Sequence, residues 1–440
     1  MADALVEGAQ GVMQSELGKT DVTRLDERIR AALAGESDWV LIGGPPCQAY
    51  SLAGRGRRAR DEAFEQDERH FLYREYLRII RRHAPAVFVM ENVKGMLSSK
   101  HGGSPMFARI LRDLRKPSSS LHYEVRSLVK PGTDGELDPS DYVIESERYG
   151  VPQTRHRVIL LGVRSDLAHR PSRILTPVER PVTVTEMIGS MPRLRSRLSR
   201  ETDSHAAWLA ALGIAVQSVD TWAPDGKAAL VRTMRAAVRA AADIEHIGGP
   251  YVSHTKSCAS MPAGMRRWME SPGLEGVIQH ETRSHMASDL ARYLFASSFA
   301  AEFGSTPRLQ SLPESLLPDH RSSRPADGGK PPYSDRFRVQ IGSEPSSTVV
   351  SHIAKDGHYY IHPDPAQCRS LTVREAARLQ TFPEDYFFEG NRTQQYVQVG
   401  NAVPPLLASR IASVVLGLIR PVASSAGASG FRSSKEESVA

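Results

Sequence analysis

Four side chains have the chemistry of a group-transfer site: the thiol of Cys47, the carboxylate of Glu91 and the guanidinium groups of Arg155 and Arg157. Cys47 stands in GGPPCQAYS, residues 43–51, a stiff two-proline loop that follows the apolar run DWVLI. At an arbitrary position a cysteine is most often a small buried hydrophobe. Behind two prolines at the end of an apolar run it reads instead as a nucleophile. Thiolate is the reactive form, and neighbouring arginines lower the thiol pKa. Together these groups suit attack on an electron-poor ring. The thiolate adds, the acid protonates or hydrogen-bonds a ring nitrogen, and the arginines hold a carbonyl oxygen. Pyrimidines fit that description, but a pyrimidine inside a duplex is reached only when it is flipped from the stack.

Such groups need elements that bring them together. WVLI (39–42) and AVFVM (86–90) predict buried parallel strands, and Leu72, Tyr76, Ile79, Ile80 and His83 keep helical spacing between them. A strand–helix–strand unit of this kind is right-handed and finishes both strands at one sheet edge, where open α/β sheets bind ligands. Cys47 and Glu91 are expected just past those strand ends. Residues 141–163 predict two strands joined around Gly150 and Pro152. Alternation along the second places Arg155 and Arg157 on one face and His156 on the other, and an antiparallel course would start it at the same edge.

The rhythm fades over residues 176–336, which hold Arg193, Arg195, Arg197 and Arg200, an Ala-rich helical stretch (228–242) and a Pro/Gly/Ser-rich linker (318–336). The arginine cluster is a solvated face or, with a nucleic-acid partner, a set of phosphate contacts. Order returns in RSLTVREAARLQTFP (369–383), where Thr372 and Glu375 form a capping box and Phe382-Pro383 ends the helix. A turn at Gly400-Asn401 then precedes a helix with prolines in its first turn. The expected division is a catalytic part over 1–175, a second domain over 176–336, completion of the catalytic part over 337–421, and a disordered tail over 422–440.

Composition narrows the class. Lys plus Arg number 56 against 50 acids, a net charge of +6, in keeping with a polyanionic partner. Three cysteines without Cys-x-x-Cys spacing point to reduced thiols and no structural zinc. In HETRSH (280–285) the histidines are five apart, so they diverge on a helix, and no metal site is expected. No apolar run approaches the ~20 residues of a membrane span, and no leader pattern opens the chain, so a cytoplasmic setting without membrane contact is expected.

GGPPCQAYS, ENV (91–93), QTRHR (153–157), RSLTVREAARLQTFP and QVGNAVPP (398–405) occur in the order found in the DNA cytosine-5 methyltransferases, and the chain resembles that family from about residue 21 to 418. The resemblance implies an α/β, Rossmann-like, S-adenosylmethionine-dependent methyltransferase sheet with a second, smaller target-recognition domain. It also implies double-stranded DNA as the partner, in an enzyme of restriction-modification type. Matched residue by residue, Cys47 is the nucleophile for cytosine C6, and Glu91 contacts N3 and the exocyclic amine. Arg157 holds O2, with Arg155 as its companion near the nucleophile. Asp21, Pro46, Leu72 and Asn401 fall where the family contacts S-adenosylmethionine. From residues alone, Asp21 can equally cap a helix, Leu72 can be core and Asn401 can satisfy a turn.

One family element is missing. The Phe-x-Gly-x-Gly loop that cradles the methionine end of the cofactor does not occur ahead of Cys47, where Gly8, Gly11 and Gly18 follow another pattern. The sheet is therefore expected to be incomplete at its N-terminus. One alternative stays open, a truncated or split enzyme that binds DNA but needs a second polypeptide to supply the loop, whereas an RNA-modifying relative is disfavoured because neither a Thr-Cys pair nor a Cys-Phe-Thr element occurs.

Overall fold

In this computed structural model the described residues are 13, 15–45, 73–101, 104–132, 136–220, 228–254, 258–318 and 334–420. Cys47, Pro46, Leu72, most of the 318–336 linker and the tail lie outside them. Two compact units emerge, one drawing on residues 1–143, 158–175 and 411–440 and the other on 144–157 and 176–410.

The first unit carries helix α1 (Val22–Leu33), strand β1 (Val40–Gly43), helix α2 (Tyr73–His83), strand β2 (Val87–Val93), helix α3 (Met106–Arg115) and strand β3 (Tyr123–Arg126). Strand β4 (Val143–Glu145) and strand β5 (His156–Arg164) straddle the unit boundary. The sheet order is β1-β2-β5-β3, with β4 also paired to β5. β1 and β2 are parallel, and β3 is antiparallel to β5. The Arg164 amide at the end of β5 donates to the carbonyl of Ala86 just ahead of β2, so these two strands also run in opposite senses.

Apolar spacing explains the helices. Tyr73, Tyr76, Leu77 and Ile80 of α2 and Phe107, Ile110, Leu111 and Leu114 of α3 share one core with Phe88, Tyr123 and Leu160 from the sheet. α1 docks by charge: its buried Asp26 meets Arg78 at 2.8 Å and His83 at 3.0 Å, both on α2. Burial alone would raise the Asp26 pKa, but these two partners bring it below the usual value. The expectation of two buried strands holds for β2 only. Among the described residues β1 pairs with β2 alone, its positions are half-buried at best, and Ile42 is 75% exposed.

The second unit contains helices α4 (Val184–Ile188), α5 (His205–Asp220) and α6 (Ala228–Ala241), strand β6 (Gly248–Ser253), helix α7 (Ala263–Met269), strand β7 (Gly276–Glu281), and helices α8 (Ala287–Phe303), α9 (Val373–Leu379) and α10 (Arg392–Asn401). α5, α6 and α8 pack around Trp208, Met234, Tyr293 and Phe295, and Phe337, Val339, Ile361 and Cys368 join the same cluster. Residues beyond 336 thus share a core with the segment before them, a grouping that differs from the sequence-derived boundary. Three arginines of the cluster are paired within the fold. Arg195 is buried on Asp203 at 2.9 Å, Arg193 pairs with Asp364 and Arg197 with Glu281. Arg195 alone of the four is buried, while Arg193 and Arg200 remain exposed and Arg197 is half-buried.

Helix α11 (Pro405–Ile419) closes the described chain. The stretch Arg392–Ile419 reaches a mean hydropathy of 1.8 and is apolar enough to cross a membrane by composition. Pro404 and Pro405 divide it into α10 and α11 of 10 and 15 residues, each shorter than the ~20 a span requires. Leu407, Ile411, Val414 and Leu418 of α11 are buried, as in a core helix.

Gly162 in β5 sets the tightest contact of the sheet, because a Cβ there would stand 2.0 Å from the ring of Phe88. Gly162→Ala should cost about 1 to 3 kcal/mol or more by overpacking, read from the denaturant midpoint. Adding Phe88→Leu should recover part of the loss. Equal stability of Gly162→Ala and the parent chain would contradict this packing.

Candidate active site

In the first unit the residues leading into the Cys47 loop are fixed from three sides. Tyr76 of α2 reaches between the strands and donates its hydroxyl to the carbonyls of Leu41 at 3.3 Å and Val89 at 3.1 Å. Its ring lies against Gly43, where a Cβ would come within 2.8 Å. A Cβ on Gly44 would stand 3.2 Å from Glu91 Oε2, so the chain passes directly over that carboxylate. Asn92 Nδ2 donates to the Pro45 carbonyl at 3.4 Å. Glu91 itself is half-buried inside β2, which continues to Val93, and is not past the strand end as its spacing implied. The strand is extended because Gly43 pairs with Met90 and carries the ladder up to the acid.

In the second unit Gln153, Arg155 and Arg157 come from one short run. Arg155 precedes β5 and only Arg157 lies in it, so strict strand alternation does not relate the pair. The buried Arg155 donates Nη1 to the Val349 carbonyl at 2.9 Å, while its own carbonyl accepts from the Ser146 hydroxyl at 2.6 Å. Arg157 is half-buried and donates Nη1 to the His156 carbonyl at 2.9 Å. His156 turns to Glu147, with Nε2 to Oε1 at 2.7 Å.

Gln153, quoted only as part of a motif, proves to be a structural hub. Its Nε2 donates to Gln380 Oε1 at 3.0 Å and to the Leu379 carbonyl at 3.2 Å, while its Oε1 accepts from the Val349 amide at 2.7 Å. Gln380 in turn donates to the Val399 carbonyl at 2.6 Å. Three motifs, 153–157, 369–383 and 398–405, are thereby joined through two buried amides. The available signal was Gln380 at the end of α9, a polar side chain between the apolar Leu379 and Phe382. Asn401 is exposed as the last residue of α10, not part of a turn. Gly400 beside it needs its missing side chain, since a Cβ would meet the Ser351 amide at 2.2 Å.

Helix α9 is buried on every side, and its charged side chains are all satisfied by flanking residues. Arg369 grips Glu375 with two contacts of 2.7 Å, and Arg378 grips Glu384 at 2.9 and 2.8 Å. The expected capping box is present, with the Thr372 side chain receiving the Glu375 amide and Glu375 receiving the Thr372 amide. Burial would raise the Glu375 pKa, but Arg369 outweighs it and holds the carboxyl well below the usual range. The histidines of HETRSH lie on strands and are structural. His280 accepts from the Thr372 hydroxyl at Nδ1 and donates from Nε2 to the Pro192 carbonyl, both at 3.0 Å; the donor assignment follows from that carbonyl. His285 contacts Ser370. Burial lowers the pKa of His280 and of His362 to about 4.

A family model of C-5 cytosine-specific DNA methylases matches residues 13–416. The chain belongs to this family. It is 34% identical to the type II methyltransferase M.Bpa9945I of Bacillus paralicheniformis, over 86% of this chain and 70% of that protein. It is 27% identical to the type II methyltransferase M.DdeI of Desulfomicrobium norvegicum, over 89% and 75%. The DNA (cytosine-5-)-methyltransferase M.ApeKI of Aeropyrum pernix is also 27% identical, over 91% and 85%. Among solved structures, a prophage-encoded E. coli protein described as a DNA modification methyltransferase aligns over 92% of this chain and 86% of its own, with 19% identity and a TM-score of 0.48. Methyltransferases of the C-5 cytosine family generally use S-adenosylmethionine. Two of the four cofactor candidates are described, and both offer exposed polar groups. Asp21 caps α1, with Oδ1 accepting the Thr23 amide at 2.8 Å. Its Oδ2 makes no hydrogen bond among the described residues, so capping does not exclude a ligand amine. These groups fit a polar ligand.

The buried histidines set an acid limit. Their folded pKa of about 4 lies below the unfolded value, so the unfolded chain binds more protons between about pH 6.5 and 4. The stability they contribute is complete above that window and is lost as pH falls through it, with Glu375 adding a further loss at lower pH. Thermal melts from pH 7.5 to 4.5 should show a steady fall in Tm. A flat profile would show that these imidazoles are not buried neutral.

Proposed function

We propose that this methyltransferase acts on C5 of a cytosine flipped out of double-stranded DNA, through a covalent bond to Cys47. The observation that carries the reading is the seating of the loop start on Glu91, with Gly44 close enough that a Cβ would lie 3.2 Å from its carboxylate. That contact supports placing the loop bearing the thiol beside an acid able to contact a base. In the proposed sequence the Cys47 thiolate adds to C6, breaking the C5–C6 double bond and leaving an enamine whose C5 is the nucleophile that takes the methyl group, while Glu91 contacts N3 and the exocyclic amine. Arg157 holds O2 and stabilises the charge that develops there, with Arg155 as its buried companion. S-adenosylmethionine, held by Asp21, Pro46, Leu72 and Asn401, would supply the methyl group. Loss of the C5 proton to solvent then restores the double bond and breaks the C6–S bond, returning Cys47.

Residues 176–336 are proposed to read the target sequence, the type II relatives support a restriction-modification role, and a cytoplasmic location beside its DNA substrate is proposed with it. Among the described residues the outer edge of β1 has no partner strand, and this favours a second reading in which a further polypeptide segment pairs with that edge and supplies a cofactor loop before methyl transfer occurs. Methylation by the isolated chain would rule that reading out.

A duplex carrying 5-fluorocytosine at the target should trap the chain in the presence of S-adenosylmethionine, because fluorine cannot leave C5 as a proton. An adduct formed by Cys47→Ala would exclude this thiol. Arg157→Ala should lower turnover by on the order of 10²-fold with little change in DNA affinity. The reverse pattern, weakened binding with a shallower salt slope and normal turnover, would make Arg157 a phosphate contact.

A further inference from the structure

Helix α6 carries three arginines and no acid in the sequence AALVRTMRAAVRAA. Leu230, Val231, Met234, Ala237 and Ala241 form its buried stripe, packed among α5 and α8. Arg232, Arg235 and Arg239 are exposed. At 3.6 residues per turn they fall within roughly 60° of one another on the side opposite that stripe, and span about 10 Å along the axis.

The usual accounts of surface arginines do not cover this column. Solvated helix faces normally interleave charges of both signs at i,i+3 and i,i+4, and α6 has only one sign. Favourable interaction with the helix dipole is confined to the last turn, which holds Arg239 alone. Neither Arg232 nor Arg239 makes a hydrogen bond or ion pair among the described residues. An acid on a packed neighbour, Glu302 of α8, is taken by the Thr233 hydroxyl at 2.9 Å. Asp243 and Glu245 come only after the helix has ended. The run of arginines at 193–197, which looked like the better candidate, is consumed by Asp364, Asp203 and Glu281 within the fold.

We propose that the exposed face of α6 is a docking surface for the sugar–phosphate backbone of the DNA substrate, independent of base sequence. Charge complementarity identifies the occupant: a single DNA strand presents one phosphate per 3.4 Å of helix axis, so about 10 Å carries roughly three, matching the three guanidinium groups. The helix is anchored by its apolar stripe, so the arginines are carried on a rigid rod and need little ordering on contact. This inference rests on the DNA-methylating reading above.

The test is the salt dependence of binding by the full chain to a labelled duplex, measured between roughly 50 and 200 mM salt. Arg232→Gln/Arg235→Gln/Arg239→Gln should flatten the plot of log affinity against log salt by roughly 2 to 3 units of slope, with an unchanged melting temperature. The triple lysine variant, which keeps the charge, should retain the parent slope and guards against a folding artefact in the glutamine variant. A control removing equal charge from exposed positions of the other unit, Arg82→Gln/Arg112→Gln/Lys116→Gln, should leave the slope intact. An unchanged slope in the α6 variant, or an equal loss in the control, overturns the proposal while parent binding and methylation stand. A parent chain that binds no DNA at all overturns the DNA reading together with it.

Discussion

Two buried glutamine amides, Gln153 and Gln380, hold the second unit's motif residues in register. Each is fully satisfied, and each joins segments far apart in sequence. A buried amide without its partner costs about 1 to 3 kcal/mol, so the loop before β5, the end of α9 and the end of α10 cannot drift independently. Arg155 is held by the Val349 carbonyl, and the adjoining Val349 amide is held by Gln153. The orientation of a proposed catalytic neighbour therefore depends on a helix more than 200 residues later in the chain.

The charges of α9 extend the same logic. Removing an ion pair from water carries a desolvation penalty that only close, multiply bonded geometry repays. Arg369–Glu375 and Arg378–Glu384 both meet that condition, and Arg374 spends its donors on the carbonyls of Ile278, Pro383 and Tyr386. Such pairs contribute less to net stability than apolar packing would. What they impose is directionality, because a guanidinium accepts few arrangements of its partners. The helix is thus a rigid post against which β7, α4 and α10 are set.

Much of this was legible before any coordinates. The strand–helix–strand unit, its parallel sense and the Thr372–Glu375 capping box follow from local spacing, and the structure has them. Other features depend on partners remote in sequence. RSLTVREAARLQTFP has the charge of a surface helix, yet Glu375, Arg374 and Arg378 are buried, because Arg369 and Glu384 fold back on two of them from six residues away while the remote carbonyls of Ile278 and Met187 accept from Arg374 and Arg378. In the cluster at 193–197, the burial of Arg195 likewise depends on Asp203, and the pairing of Arg193 and Arg197 on acids at 364 and 281, none of which local periodicity locates. Asn401 was taken for a turn because Gly precedes it, whereas Gly400 serves a close helix approach to Ser351. Glu91 was displaced by a ladder that runs three residues longer than its apolar core. The Cys47 loop owes its recognition to motif alone.

The route of the chain between its two units has a further consequence. It crosses after Val143, after Arg157, after Leu175 and after Arg410, with crossings inside β4, β5 and α11. No single cut can release either unit as a continuous fragment, and a nick in one surface loop leaves both halves threaded through shared strands. Evolution cannot shuffle such a unit as a cassette by joining ends at one linker. Exchange has to respect the interlacing, so recombination that preserves folding is confined to insertions within the 176–410 stretch, between anchors that stay behind.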